Sequence, residues 1–383
     1  MRRIEAVTEL AEGERVELAL EAQGGRIVSA RSKSTRRPRV TERMTGRLLL
    51  PTLRLVPTLF PLCARAQALA ALAAVEQGAA IRPSDAHLHA RELLLVAERL
   101  ESHLRALSVE IPPRLGGRPD LEGWVQVRSA CHRLERALFP DGTGFELGGG
   151  VLAPNLGELH AAREEIRDAA LRELEPMEPV SSWMKRSRGN GAAAARWLTS
   201  KGWAELGAAE QLGAPAPSEV ARRARLAPGF VEAPTDEGGP VELGPLARQR
   251  GHPRVLEVEA RWGLGWLARV VARLADLSED LRMLEEGIGQ LQPASGQTVV
   301  LPSEGEGYGH AETARGILVH RIAWQDGRIA AWQRVAPTEW THHPEGVATR
   351  ACVGWPVDEA RARGEAHLAL LDPCVPFSVV VEG

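Results

Sequence analysis

Apolar and polar positions alternate with a period of two near both ends of the chain and with a period close to 3.6 between them. From Arg15, "RVELALEAQGGRIVSARSKS" alternates on either side of Gly24-Gly25, which predicts a β-hairpin. An Ala/Leu-rich run from Leu59 to about Gly78 predicts a helix with Cys63 near its start. A second helix opens at a Ser84/Asp85 cap and places Leu93, Val96, Leu100, Leu104 and Leu107 on one stripe. Further helices are predicted over roughly Leu121 to Leu138 and Leu156 to Leu174. Another follows Gly265, with Leu267, Val270, Leu274, Leu277, Leu281 and Leu284 aligned. From about Thr298 the pattern returns to strands, and Asp326-Gly327 between two alternating apolar runs marks a hairpin. The expectation is a helix-dominated α+β fold with peripheral antiparallel hairpins. It forms a single domain over 1–383, interrupted by a Gly/Pro/Ala/Arg-rich insertion at 176–237.

Composition narrows the function classes. The 383 residues are 44% hydrophobic and 25% charged, which describes a chain able to bury a sizeable core. A formal net charge of −3 supplies no bulk attraction to nucleic acid or acidic membranes. The N-terminal stretch has no hydrophobic region of the kind a secretory signal needs. The most apolar run, from Leu48, is broken by Pro51, Arg54, Pro57, Pro61 and Arg65, so neither export nor membrane insertion is expected. Four widely separated cysteines, Cys63, Cys131, Cys352 and Cys374, form no disulfide framework and point to free thiols in a reducing, cytoplasmic setting.

Common mechanism-bearing motifs are absent: there is no Walker loop, no Rossmann glycine fingerprint, no HExxH and no CxxC. Taken alone, Asp372-Pro373-Cys374 reads as a small buried thiol after a rigid turn. Its neighbours change the reading. "TGRLLLPTLRLVPTLFPLCARAQALAALAAVE" resembles the first cysteine motif of nickel-iron hydrogenase large subunits, with Gly46-Arg47, Cys63 and Glu76 in register. "RELLLVAERLESHL", "GGPVELGPLAR" and "GWLARVVARLADL" resemble three further stretches of that family. "ETARGILVHRIAWQDGRIAAWQRVAPTEW" and the tail "DPCVPF" resemble two more, the last being its second cysteine motif.

The resemblance implies both a site and its erosion. Family members hold nickel with four thiolates, two from each motif, and iron with the second of each pair. Here Phe60 stands at the first cysteine position and Cys63 at the second, while Cys374 keeps the first tail position and Phe377 replaces the second. Gln67 and Val380 stand where each motif has a histidine, and Ala11, beside Glu12, falls where the family has its proton-transfer acid. Two thiolates do not complete a soft sulfur cage, so neither nickel nor hydrogenase activity is expected. A chain ending at Gly383 is also expected to need no C-terminal cleavage. Arg315, Pro337 and Thr338 match family residues around the iron's cyanide ligands, and donors of this kind suit anionic cyanides.

A degenerate large subunit of this length resembles the HupK-type hydrogenase expression and formation proteins. That resemblance implies a non-enzymatic scaffold that transiently holds an Fe(CN)2(CO) unit on Cys63 and Cys374. Its implied partners are maturation chaperones and the hydrogenase large-subunit precursor. The alternatives are an unusual hydrogenase, or a complex-I-like structural or redox subunit without nickel. The plain reading of Cys63 and Cys374 is two inherited buried thiols, and Arg315 and Thr338 equally suit internal hydrogen bonds. His87, His89 and His103 read as satisfied core or surface histidines, Cys131 and Cys352 as structural, Thr341–Pro344 as an exposed turn, and the run from Arg36 as a solvated loop.

Overall fold

The computed structural model describes residues 15–34, 39–174 and 179–383. Six strands, β1 (Val16–Gln23), β2 (Arg26–Ser34), β3 (Glu304–Thr313), β4 (Gly316–Gln325), β5 (Arg328–Val335) and β6 (Phe377–Glu382), make two three-stranded sheets. The long helices are α1 (Ala64–Gly78), α2 (Asp85–Arg105), α3 (Leu121–Leu138), α4 (Leu156–Glu173), α5 (Trp266–Ile288) and α6 (Val357–Leu371). Both predicted hairpins form. β1 pairs antiparallel with β2, and β3-β4-β5 is an antiparallel meander. This is the expected α+β, helix-dominated architecture.

Three features differ from the sequence expectation. The first helix begins after Cys63, because Phe60–Cys63 forms a turn between a short helix, Val56–Leu59, and α1. The apolar tail is a strand: β6 pairs in parallel with β1, Val16 opposite Phe377 and Leu20 opposite Val381, which joins the two ends of the described chain. Residues 341–343 are buried rather than an exposed turn. They follow the short helix Pro337–Thr341, and the Leu243 backbone N–H donates to Thr341 Oγ1. Of the run from Arg36, residues 36–38 lie outside the described residues.

The 176–237 stretch carries three helices, Val180–Arg186, Asn190–Ser200 and Pro217–Leu226. Trp183, Ala192, Ala195 and Leu198 join the main core, and Val220, Ala221 and Phe230 join a smaller cluster with Val319, Val335 and Trp340. The β3-β4-β5 sheet therefore has apolar packing on both faces, with α1 on one and the 217–226 helix on the other.

Close contact between α1 and β3 depends on glycines. A Cβ on Gly307 would lie 2.2 Å from the Ala74 carbonyl oxygen, and one on Gly309 would lie 2.3 Å from that of Ala70. Backbone meets backbone there, so neither side can yield as a flexible side chain would.

The central helix α5 is buried on nearly every face, although Arg269, Arg273, Asp276 and Asp280 lie on it at i, i+4, i+7 and i+11. That spacing keeps all four on one stripe. Each is ion-paired: Arg269 with Glu242 at 2.6 Å, Arg273 with Asp372 at 3.0 Å, Asp276 with Arg248 at 2.5 Å and Asp280 with Arg99 at 2.8 Å. Asp372 ends α6 in a left-handed conformation (φ 52°) and also receives Arg315, whose Nε donates to the Asp372 carbonyl (2.7 Å) and Nη2 to Oδ1 (3.1 Å). Burial alone would raise the Asp372 carboxyl, but Arg315, Arg273 and Arg105 outweigh it and hold the group below its ordinary value.

Two outcomes follow. Gly309→Val should lower stability by about 1–3 kcal/mol, read from the urea midpoint at unchanged m-value. Asp372→Asn should cost roughly 3–5 kcal/mol at neutral pH by leaving two buried guanidiniums without their counter-ion. Because the folded carboxyl is depressed, its contribution is complete above the unfolded value of about 3.9 and is lost as pH falls through the lower folded value. The gap between wild type and Asp372→Asn, followed by denaturant unfolding, should therefore be flat from neutral pH down to the mid-range and narrow in acid.

Candidate metal centre

Cys63 sits at the N-cap of α1 and is buried. Its sulfur does no capping. Instead Glu98, from α2, accepts the backbone N–H groups of Arg65 (2.7 Å to Oε2) and Ala66 (3.2 Å to Oε1), the donors an N-cap side chain would otherwise satisfy. Burial pushes the Glu98 carboxyl up to about 7 even though Arg65 and both backbone donors oppose the rise. With the cap supplied from outside, Sγ of Cys63 is available to other groups, and it accepts the Gln67 side-chain amide at 3.5 Å.

Cys374 approaches from the opposite end of the chain. It follows Asp372-Pro373 and is partly buried, with Sγ 3.1 Å from the Thr338 hydroxyl. Thr338 itself is buried in the first turn of the 337–341 helix, where Pro337 occupies the first helical position. Arg315 is one of two residues between the last residue of β3 and the first of β4, so the hairpin tip points its guanidinium at the tail. Burial disfavours the Arg315 charge, but Asp372, Cys374 and Cys63 outweigh it, in that order, and raise its proton affinity. Both cysteines thus lie within electrostatic range of one buried cation. A cleft of about 280 Å³ lined by Thr58, Leu62, Arg65, Glu98, Glu101 and Arg315 reaches this cation from outside.

The structure places each sequence-derived candidate as follows. Cys374 meets Thr338, Arg315 meets the tail at Asp372, Cys63 lies within electrostatic range of Arg315, and Pro337 shapes the turn that carries Thr338. Phe60 is buried with the Arg334 guanidinium 4.6 Å above its ring. Phe377 lies under Arg114, 5.0 Å from the ring centre, beside a second cleft shared with Leu62, Arg105 and Asp372. Phe60 and Phe377 thus each lie under a guanidinium ion. Ala11 and Glu12 lie outside the described residues. Glu76 forms a buried ion pair with Arg91 at 2.8 Å and accepts the Gly148 N–H, a structural role.

Other thiols and imidazoles are accounted for. Cys131 and Cys352 each lie 3.4 Å from a backbone carbonyl oxygen, and burial raises both thiols far above the ordinary range. His87 bonds the Gly150 carbonyl and His89 that of Gly287. His103, Asp276 and Asp280 are the group among the described residues able to offer three close ligand atoms. Arg248 and Arg99 already neutralise its two carboxylates, so it reads as part of the α5 ion-pair stripe. Sequence reasoning missed His320, which is fully buried and reaches Gln67. Its alternation with Leu318 and Ile322 on β4 is the signal that puts it on the face toward α1.

The donor set suits some guests better than others. Two thiols, a hydroxyl, an amide and a guanidinium match a soft metal carrying anionic ligands, and do not match nickel's four-sulfur cage.

Known proteins resemble this chain in sequence and in fold. The nickel-dependent hydrogenase family matches residues 264–359, from the start of α5 through β3-β4-β5 into α6. The hydrogenase expression/formation protein HupK of Azotobacter vinelandii is 28% identical over 358 residues, 90% of this chain and 91% of that protein. HupV, a hydrogenase expression/formation protein of Azotobacter chroococcum mcd 1, is 29% identical over 381 residues, 96% of this chain and 98% of that protein. In fold, the reduced, active nickel-iron-selenium hydrogenase of Desulfomicrobium baculatum superposes with a TM-score of 0.69 at 16% identity, covering 93% of this chain and 95% of that one. No described helix is long and apolar enough to cross a membrane. The chain thus has the fold of the nickel-iron-selenium hydrogenases and is similar along nearly its whole length to the HupK and HupV hydrogenase expression/formation proteins.

Proposed function

We propose that the protein is a non-catalytic scaffold of hydrogenase maturation that carries an Fe(CN)2(CO) unit between Cys63 and Cys374 before passing it to a hydrogenase large-subunit precursor. The observation that carries this reading is that Arg315, held in place by Asp372, stands beside the tail whose Cys374 meets Thr338, with Cys63 also within its electrostatic reach. The iron unit is cargo here. Two thiolates would hold the iron, while Thr338 and Arg315 offer the hydrogen bonds and positive charge that cyanide nitrogens accept. Pro337 fixes the turn that presents Thr338. Maturation chaperones are the proposed partners, as the names of the relatives imply, and the proposed compartment is the cytoplasm.

The hydrogenase alternative is disfavoured by Phe60, buried under Arg334 at the first-motif position where a nickel thiolate would stand. Infrared spectroscopy on protein purified anaerobically after co-expression with the maturation machinery tests the carrier reading. Cyanide and carbonyl stretching bands are expected in wild type, lost in Cys63→Ala and in Cys374→Ala, and weakened in Arg315→Gln. Wild type without such bands would leave only a role in chaperoning protein.

A further inference from the structure

Behind Cys63 lies a hydrogen-bonded chain with a direction. Trp332 Nε1 donates to His320 Nδ1 at 2.8 Å, His320 Nε2 lies 2.8 Å from Gln67 Oε1, and Gln67 Nε2 lies 3.5 Å from Cys63 Sγ. Gln67, His320 and Trp332 are 1%, 0% and 3% exposed, so no water competes for these atoms. An indole N–H can only donate, and that fixes every later step. Nδ1 of His320 must be the unprotonated acceptor, so the remaining ring proton sits on Nε2. A donating Nε2 requires the carbonyl end of Gln67 to face it, which turns the amide NH2 toward sulfur. Burial, together with neighbouring Arg334, lowers His320 to about 3 and keeps the ring neutral.

We infer that Gln67 is a positioning residue that aims an amide N–H at Cys63, with its polarity set two residues away by Trp332. The sulfur is consequently an acceptor in this contact and is held in one orientation while it takes or releases a metal. A histidine at position 67 could present either a donor or a lone pair. The amide between His320 and Cys63 has its choice made for it. This rests on the carrier reading only for its use, not for its existence. Sheet geometry supports it independently. His320 stands opposite Arg334 on β5 and opposite Gly309 on β3, and the absence of a side chain at Gly309 brings α1 close enough for Gln67 to reach the ring.

Two measurements separate the relay from the carrier reading. In metal-free protein with 15N-labelled histidine and glutamine, NMR should show His320 as the Nε2–H tautomer. It should also show a Gln67 amide proton that shifts upfield in Cys63→Ala. An Nδ1–H tautomer, or a Gln67 amide indifferent to Cys63→Ala, would overturn the inference. In the second measurement cobalt(II) is added anaerobically and the thiolate-to-cobalt charge-transfer band is followed. Loss of an N–H···S bond raises the sulfur lone pairs, so the band should move to lower energy in Gln67→Met. It should move the same way, by less, in Trp332→Phe, which touches neither sulfur nor metal. Unmoved bands in both variants would overturn the relay's action on the bound sulfur. A wild type with no charge-transfer band would count against the carrier reading, with the NMR result still deciding the relay.

Discussion

Asp372 is the point on which the site depends. One carboxylate, buried at the end of α6, joins Arg273 of the central helix to Arg315 at the tip of the β3-β4 hairpin. The three elements come from distant parts of the sequence, and the tail cysteine lies two residues beyond the junction. A buried ion triplet of this kind seldom adds net stability over an apolar substitute, because desolvation consumes most of the Coulombic gain. Its effect is geometric. Removing the carboxylate would strand two cations, so the hairpin tip and the tail are held in register with one another. The left-handed turn at Asp372 then releases the chain through Pro373 toward Cys374 and into β6.

Two aromatic rings near the cysteines are held by a different contact. Phe60 and Phe377 each fill volume at a motif position and lie beneath a guanidinium, Arg334 and Arg114 respectively. A cation over an aromatic face is attractive when both are partly desolvated. These rings therefore contribute packing where a thiolate would need a metal or a proton.

Much of this was legible in the sequence, and what was missed has physical reasons. Regular apolar periodicity placed α2 to α5 and both hairpins, since local spacing decides which face of an element is buried. The motif residues Cys63, Cys374, Arg315 and Thr338 could be named because short stretches that resemble a known family carry them, and of these the structure sets Cys374 against Thr338. β6 was missed because an apolar run of six residues has no period that distinguishes a strand pairing with a partner more than 350 positions away. Residues 341–343 seemed a turn because His-His-Pro is polar and kinked, yet they are buried and Thr341 accepts the Leu243 backbone N–H from 98 positions away, which no local pattern announces. The Trp332–His320–Gln67 chain was invisible for a similar reason: its polarity is a property of three side chains from two strands and a helix.

A carrier and an enzyme ask different things of the same pocket. Four thiolates bind a metal for the life of the protein, whereas a cargo must leave. Halving the thiolate number weakens the hold, and a positive, donor-rich surround recovers selectivity for an anionic guest without adding covalent bonds. On the proposed reading the surround is firmly held while the ligands are few: Arg315 is fixed by Asp372, Thr338 by its helix and Gln67 by His320. Rigid donors reduce the reorganisation that binding would otherwise cost, and they leave the strength of attachment to the two sulfurs. On the proposed reading, release then requires breaking two metal–sulfur bonds, with the rest of the pocket unchanged and ready for the next guest.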